Sequence, residues 1–297
     1  MRGGRTLAGL AALLAVLACA APPPATANGT APAAPPPATP YLRAITLAPH
    51  ITELVFAAGA GSHIAGTVER SDYPPAAQAI ARVGDGVAVS AEATLALRPD
   101  LVIAWHASGA ARRLSPTLRR AQVPLIYSAP ASLDDIPTEI QRMGALFGTS
   151  AAAEPAARAL AARIQALRAR HAGRSPVTVF IEISSPPLYV VASDPAIDDA
   201  LKACGGVNIF ADIATPAAQA SAESVLVRQP DVIIAPYTSA DEIAHLRKRW
   251  ARAGLAAASA GRVYGLDPDA LFRPGPRLVD AAETLCGYLD QFRRDGH

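Results

Sequence analysis

Aromatic residues make up only 5% of this 297-residue chain, which also holds just three cysteines and two methionines. Each shortage excludes something. Cys19, Cys204 and Cys286 lie far apart, with no Cys-x-x-Cys pair and no Cys/His cluster, so no thiolate metal site is written here. A formal net charge of +2 and the lack of any Lys/Arg block give nucleic acid nothing to hold. The sequence has no P-loop, no GxSxG and no HExxH, and Gly59-Ala60-Gly61 lacks the third glycine of a dinucleotide turn. No apolar run is long enough for a membrane span. With rings so scarce, a large aromatic at the end of a strand becomes informative.

The first residues carry the pattern of an export signal. Arg2 and Arg5 precede the apolar stretch 7–17, and small residues follow it. Two processing routes are readable. Cleavage after Ala27 removes residues 1–27 and frees a soluble protein; cleavage before Cys19 removes residues 1–18 and leaves a cysteine for lipid attachment. Both export the mature chain from the cytoplasm. Residues 28–42 follow as an Ala/Pro-rich tether, and from Ala20 to Pro40 the chain is nearly all Ala, Pro and Thr, which cannot build a core. Cys204 and Cys286 then remain in an oxidising compartment, either as a disulfide or as two buried thiols acting as small hydrophobes.

Beyond the tether, strand and helix patterns alternate. Residues 43–48 and 64–68 read as short buried strands, and 50–58 as a helix stopped by Gly59. Ser90 caps a helix that Pro99 ends, and the apolar run 101–105 follows as a strand of a parallel sheet. A helix near 110–121 and a strand at 123–127 complete this half. The segment SAEATLALRPDLVIA from Ser90 returns in register as SAESVLVRQPDVIIA from Ser221. Between the halves, residues 155–172 form a long helix with an apolar stripe at Leu160, Ile164 and Leu167. The expectation is an α/β protein with an N-lobe over 43–149, a linking helix over 150–173 and a C-lobe over 174–297, whose last helix, 278–292, carries Cys286. Ligands of open α/β sheets sit outside the carboxyl ends of strands, so the cleft between the lobes is where a site is expected.

Several residues are placed to use that cleft. Trp105 ends the strand 101–105 and is expected to face a ligand, with His106 beside it. His50 sits at a strand-to-helix turn, and Tyr73 lies in Ser71-Asp72-Tyr73-Pro74-Pro75. Tyr237 closes the C-lobe strand as Trp105 closes the first. Phe272 and Arg273, in the Pro/Gly-rich loop 267–276, are positioned to cover the opening. Ser90, Ser221, Pro99 and Pro230 are explained as helix caps and stops. Glu92 and Glu223 are not, because Asp would serve the helix dipole equally well.

The chain resembles the substrate-binding proteins of bacterial ABC importers for cobalamin and ferric siderophores, nearest to the cobalamin binders. The resemblance runs from about Arg43 to Leu289. It rests on Ala48-Pro49-His50-Ile51-Thr52-Glu53-Leu54, the Ser71 to Pro75 turn, Leu97-Arg98-Pro99-Asp100-Leu101-Val102-Ile103-Ala104-Trp105 and Cys204-Gly205-Gly206-Val207-Asn208-Ile209-Phe210. It implies two Rossmann-like lobes joined by one backbone helix, a helical-backbone periplasmic binding protein with a shallow cleft and no catalysis. It also implies that Glu92 and Glu223 dock the lobes onto an importer permease with its ATPase, and that Cys204 is joined to Cys286. The family lines its cleft with rings; Trp105 matches one and Tyr189, after Leu188, lies near another. Arg70, Gly86, Glu182 and Ala217 stand at other ring positions, and two of them, Arg70 and Glu182, place charge there. The implied protein is a monomer that carries a cobalt corrinoid and needs no cofactor or metal of its own. The alternative cargo is a ferric siderophore, haem or another metal chelate, and a two-lobed α/β enzyme is the remoter reading.

Overall fold

A computed structural model describes residues 39–107 and 109–295. The signal segment, most of the tether and Cys19, the residue expected to carry any lipid, lie outside the described residues. The N-lobe runs β1 (Ala44–Thr46), α1 (Pro49–Ala57), β2 (Ile64–Thr67), β3 (Ala81–Arg82), α2 (Ala91–Ala96), β4 (Leu101–Ala104), α3 (Gly109–Arg120), β5 (Leu125–Tyr127) and α4 (Asp135–Phe147). Its five strands form one parallel sheet in the order β3-β2-β1-β4-β5. Both faces are covered, as continuous apolar runs such as Leu101–Ala104 require. Along β1, Ile45 packs on one face of the sheet while Ala44 packs on the other.

The linking helix α5 spans Ser150–His171. Its start lies upstream of the 155–172 expected from Pro155 as a first-turn residue. Ala151, Ala152 and Ala153 are strong helix formers and carry the helix back past the proline, whose missing N–H leaves one carbonyl without its helical donor.

The C-lobe contains β6 (Val177–Ser184), β7 (Tyr189–Val191), α6 (Pro195–Ala203), β8 (Gly206–Asn208), β9 (Ala217–Gln219), α7 (Ala222–Arg228), β10 (Val232–Ala235), α8 (Ala240–Arg252), α9 (Ala256–Ser259), β11 (Val263–Gly265), α10 (Pro268–Leu271) and α11 (Pro276–Arg294). Strands β8, β6, β10 and β11 are parallel, as in the first lobe. The two copies differ at one edge, where β7 pairs antiparallel with β6 and β9 antiparallel with β7. Three-residue strands leave too short an alternation to read from sequence.

The internal repeat has a physical basis. Ser90 Oγ accepts a hydrogen bond from the Ala93 N–H (3.1 Å) and Ser221 Oγ one from Ser224 N–H (3.2 Å), so both serines cap their helices. The repeated aspartates pin the neighbouring central strand. Asp100 accepts from the backbone N–H groups of Leu42 and Arg43 just before β1, and Asp231 from Thr178 N–H and Oγ1 in β6.

One core cluster runs through both lobes. It joins Ile51 and Leu54 of α1 to Leu160 and Ile164 of α5, then to Leu285 and Leu289 of α11 and Val179 and Ile181 of β6. The disulfide Cys204–Cys286 fastens α11 to the end of α6, with Cα atoms 5.0 Å apart. A chain segment also crosses back: after β11, residues 267–277 lie against the N-lobe, with Arg277 paired to Glu53 of α1 (3.0 and 2.7 Å).

Candidate functional site

The site forms where the carboxyl ends of the two sheets face each other. The loop leaving β2 carries Arg70 and Asp72, and the chain beyond β11 carries Asp269 and Arg273. Arg70 Nη2 lies 3.0 Å from Asp269 Oδ1, and Arg273 Nη1 lies 3.5 Å from Asp72 Oδ1. These ion pairs hold the strand ends of one lobe opposite those of the other. Arg70 adopts φ 61°, in the left-handed region that few non-glycine residues take.

Trp105 stands one residue past β4 and is 37% exposed despite its size. Its ring is edge-on to His50 (centroids 4.8 Å apart) and stacked with His106 (4.9 Å). Three cavities meet at this indole. One of about 310 Å³ runs between the lobes, lined by Trp105, His106, Pro130, Ile197, Phe272 and Leu278. A second of about 390 Å³ is bounded by His50, Arg70, Asp85, Trp105, Phe272 and Arg273. A third, about 230 Å³, lies between Leu47, Gly86, Trp105, His106 and Ala110. Trp105 therefore divides an apolar slot from a corner that carries Arg70, Asp85 and Arg273, and Phe272 borders both.

The electrostatics of this wall favour neutral imidazoles. His50 is almost fully buried, with Nε2 3.4 Å from the Ser128 carbonyl, and burial lowers its pKa to about 3. Burial also lowers the pKa of His106. Glu53 lies beneath, in the second turn of α1. Its own burial raises its pKa, against the pull of Arg277 and Arg273.

The expected site residues divide into three groups. Trp105, His50, Arg70, Phe272 and Arg273 come together at the cleft. Arg273, however, is nearly buried and its guanidinium is taken up by Asp269 (2.5 Å) and Asp72, so it braces the loop rather than offering a free cation to a ligand. Tyr73 and Tyr189 are half-exposed but line none of these cavities; Tyr73 instead stacks beneath the Arg277 guanidinium at 4.6 Å. Tyr237 borders a separate C-lobe cavity of about 470 Å³ with Glu182, Ser185, Glu242, His245 and Arg249.

Glu182 corrects an expectation. Alternation along β6 sends Ile181 to the shared core and Glu182 to the opposite face, under α8. There it is fully buried, salt-bridged to Arg249 and accepting from Trp250 Nε1 (2.8 Å), so it adds no unpaired charge to the cleft. Lining groups that the sequence reading left out, such as Pro130, Ile197 and Leu278, are unremarkable in type and come from elements far apart in the chain. Gly86, noted there only as a missing ring, opens the space beside Trp105. Glu92 and Glu223 are exposed on the first turns of α2 and α7. The pKa of Glu223 is lowered by its own backbone N–H and by Ser221.

Two α/β lobes sharing a backbone helix, with opposed strand ends around a half-apolar cleft, define a two-lobed solute-binding protein. The chain belongs to the periplasmic binding protein family, whose model matches residues 45–270. It is a binding protein rather than an enzyme, as are the relatives it matches. The vitamin B12-binding protein of Vibrio cholerae serotype O1 is 38% identical over 249 residues, covering 83% of this chain and 88% of that protein. The vitamin B12-binding protein of Vibrio parahaemolyticus serotype O3:K6 is 33% identical, covering 85% and 90%. Among solved structures, the periplasmic vitamin B12 binding protein of Vibrio cholerae superposes with a TM-score of 0.78 at 36% identity, covering 86% of this chain and 98% of that one. A periplasmic heme-binding protein from Roseiflexus sp. RS-1, in apo form, gives 0.72 at 29% identity, covering 84% and 98%. Among the described residues no helix is long and apolar enough to cross a membrane.

Proposed function

We propose that this protein captures a corrinoid of the cobalamin type between its lobes and delivers it to an ABC importer permease and its ATPase. The observation that carries the reading is the exposed Trp105 at the meeting point of three cavities, in a chain otherwise poor in rings. The vitamin B12-binding relatives supply the ligand class. A corrinoid offers a broad apolar face to Trp105 and Phe272 and peripheral polar groups to the corner around Arg70. The cobalt travels as cargo, and the protein needs no metal of its own. In this reading Glu92 and Glu223, exposed on matching helices of the two lobes, dock the loaded protein on the permease, and a lipid on Cys19 is the alternative to a free periplasmic form.

Haem is the second reading, favoured by the heme-binding neighbour and by the neutral imidazole of His106 in the cleft. Tryptophan fluorescence separates them, with Trp105→Ala giving the contribution of Trp250, the buried indole bonded to Glu182. Titration with cobalamin should quench Trp105 and saturate at micromolar concentration. Trp105→Ala should weaken binding by roughly 1–3 kcal/mol of lost apolar burial, about five- to 150-fold in Kd. Saturation by haem or a ferric siderophore, with no response to cobalamin, would remove the corrinoid assignment and leave the transport role.

A further inference from the structure

The two lobes are built on one plan, and their cavities correspond. In the N-lobe Ala44 lies opposite Leu101; in the C-lobe Val179 lies opposite Val232. Counting from these pairs matches Leu47 with Glu182, His106 with Tyr237 and Ala111 with Glu242. Leu47, His106 and Ala111 line the N-lobe cavity beside Trp105; Glu182, Tyr237 and Glu242 line the C-lobe cavity. Both lobes therefore keep a cavity at the same place, over the carboxyl ends of their central strands. The N-lobe copy is largely apolar and the C-lobe copy is polar.

The C-lobe cavity belongs to the end of the lobe that meets the N-lobe. Tyr237 follows β10, and its carbonyl lies so close to Gly265 at the end of β11 that a Cβ there would come within 2.2 Å of it. The loop that continues from β11 carries Asp269 and Arg273, the partners of Arg70 and Asp72. The floor of the cavity is satisfied, since Glu182 holds Arg249 and the Trp250 N–H. Its walls are open to solvent: Glu242 and His245 are exposed, Tyr237 is half-exposed, and their side chains make no hydrogen bond within the described residues.

We propose that this C-lobe cavity receives a neutral hydrogen-bonding arm of the ligand, of the carboxamide class, while Trp105 and the N-lobe cavity take the ligand's apolar face. The inference rests on the corrinoid reading, since corrinoids carry primary carboxamides around the ring where a porphyrin such as haem carries carboxylates. A carboxamide matches the free groups here. The Tyr237 hydroxyl donates to its carbonyl, and the Glu242 carboxylate accepts from its N–H. Burial and the neighbouring Glu182 raise the pKa of Tyr237, keeping the hydroxyl a donor. A carboxylate arm would instead face the Glu242 carboxylate, because the Glu182 and Arg249 charges offset each other and only the His245 imidazole stands beside them. The C-lobe thus selects amide over acid at the ligand's edge.

The test compares cobalamin with cobalamin whose peripheral amides have been hydrolysed to carboxylates, titrated into the whole protein and into Tyr237→Phe and Glu242→Gln. Loss of one hydrogen bond should weaken cobalamin binding by Tyr237→Phe about three- to tenfold, with Trp105 quenching at saturation unchanged. The unaltered protein should prefer the amide form, and Glu242→Gln should narrow that preference. If both variants melt like the unaltered protein and bind both ligands with its Kd, the subsite is refuted while the corrinoid reading stands. If the unaltered protein binds neither form, the corrinoid reading falls and the subsite with it.

Discussion

His50 shows how far a single residue was legible. Its place at the turn into α1 was visible in Ala48-Pro49-His50, but its burial against Trp105 and the Ser128 carbonyl depends on chain far away in sequence. The consequence is a pH dependence of stability. Folded His50 has a pKa of about 3, against an ordinary value of 6.5, so between those values the unfolded chain takes up a proton that the folded chain refuses. Stability therefore falls as pH drops through this window, by about 1.4 kcal/mol per pH unit. Urea unfolding at pH 7 and pH 5 should show the unaltered protein losing roughly 2 kcal/mol more than His50→Gln. The raised pKa of Glu53 acts in the opposite direction but is common to both proteins, so it drops out of the comparison. Equal losses would mean that His50 is not held neutral. Trp105 was readable because an apolar run ended on it. Arg273 was not, because nothing local to it foretells Asp72 as a partner.

At the scale of elements, the sequence was most legible where apolar runs met firm punctuation. Strand β4, the capped helix α2 and their counterparts β10 and α7 all formed where Ser, Pro and Asp marked them. The antiparallel pair β7–β9 was hidden by its brevity, and α4, whose apolar face packs beside α5, went unread. The pairing of Cys204 with Cys286, open from the residues alone and implied by family resemblance, is present and joins α11 to the end of α6. It closes a loop with a sequence separation of 82, a constraint of about 3–5 kcal/mol on the unfolded chain. A Cys204→Ala, Cys286→Ala double variant should lose stability of that order, and reductant should have little further effect on it. If reductant leaves the unaltered protein's unfolding midpoint unchanged, α11 is held by packing alone.

The whole molecule is two similar lobes that do not separate cleanly. Their cores are continuous through α5 and α11, and residues 267–277 return to the N-lobe as a set of ion pairs. Closing or opening the cleft widely would break buried apolar contacts and the Arg277–Glu53 pair together, so the motion available is small. The cleft must then be largely formed before a ligand arrives, and of the matching cavities over the strand ends the N-lobe copy is apolar and the C-lobe copy polar. The fold class and the position of the cleft were legible because they follow from a repeat. The division of chemistry between the lobes was not, because Glu182, Arg249 and Trp250 reveal their pairing only once β6 and α8 are packed. The most direct test of corrinoid capture is native mass spectrometry of the protein purified from its own cells, without added ligand. The account predicts a one-to-one complex carrying the mass of a cobalt corrinoid, released on unfolding. A complex carrying haem or a siderophore in its place would contradict it.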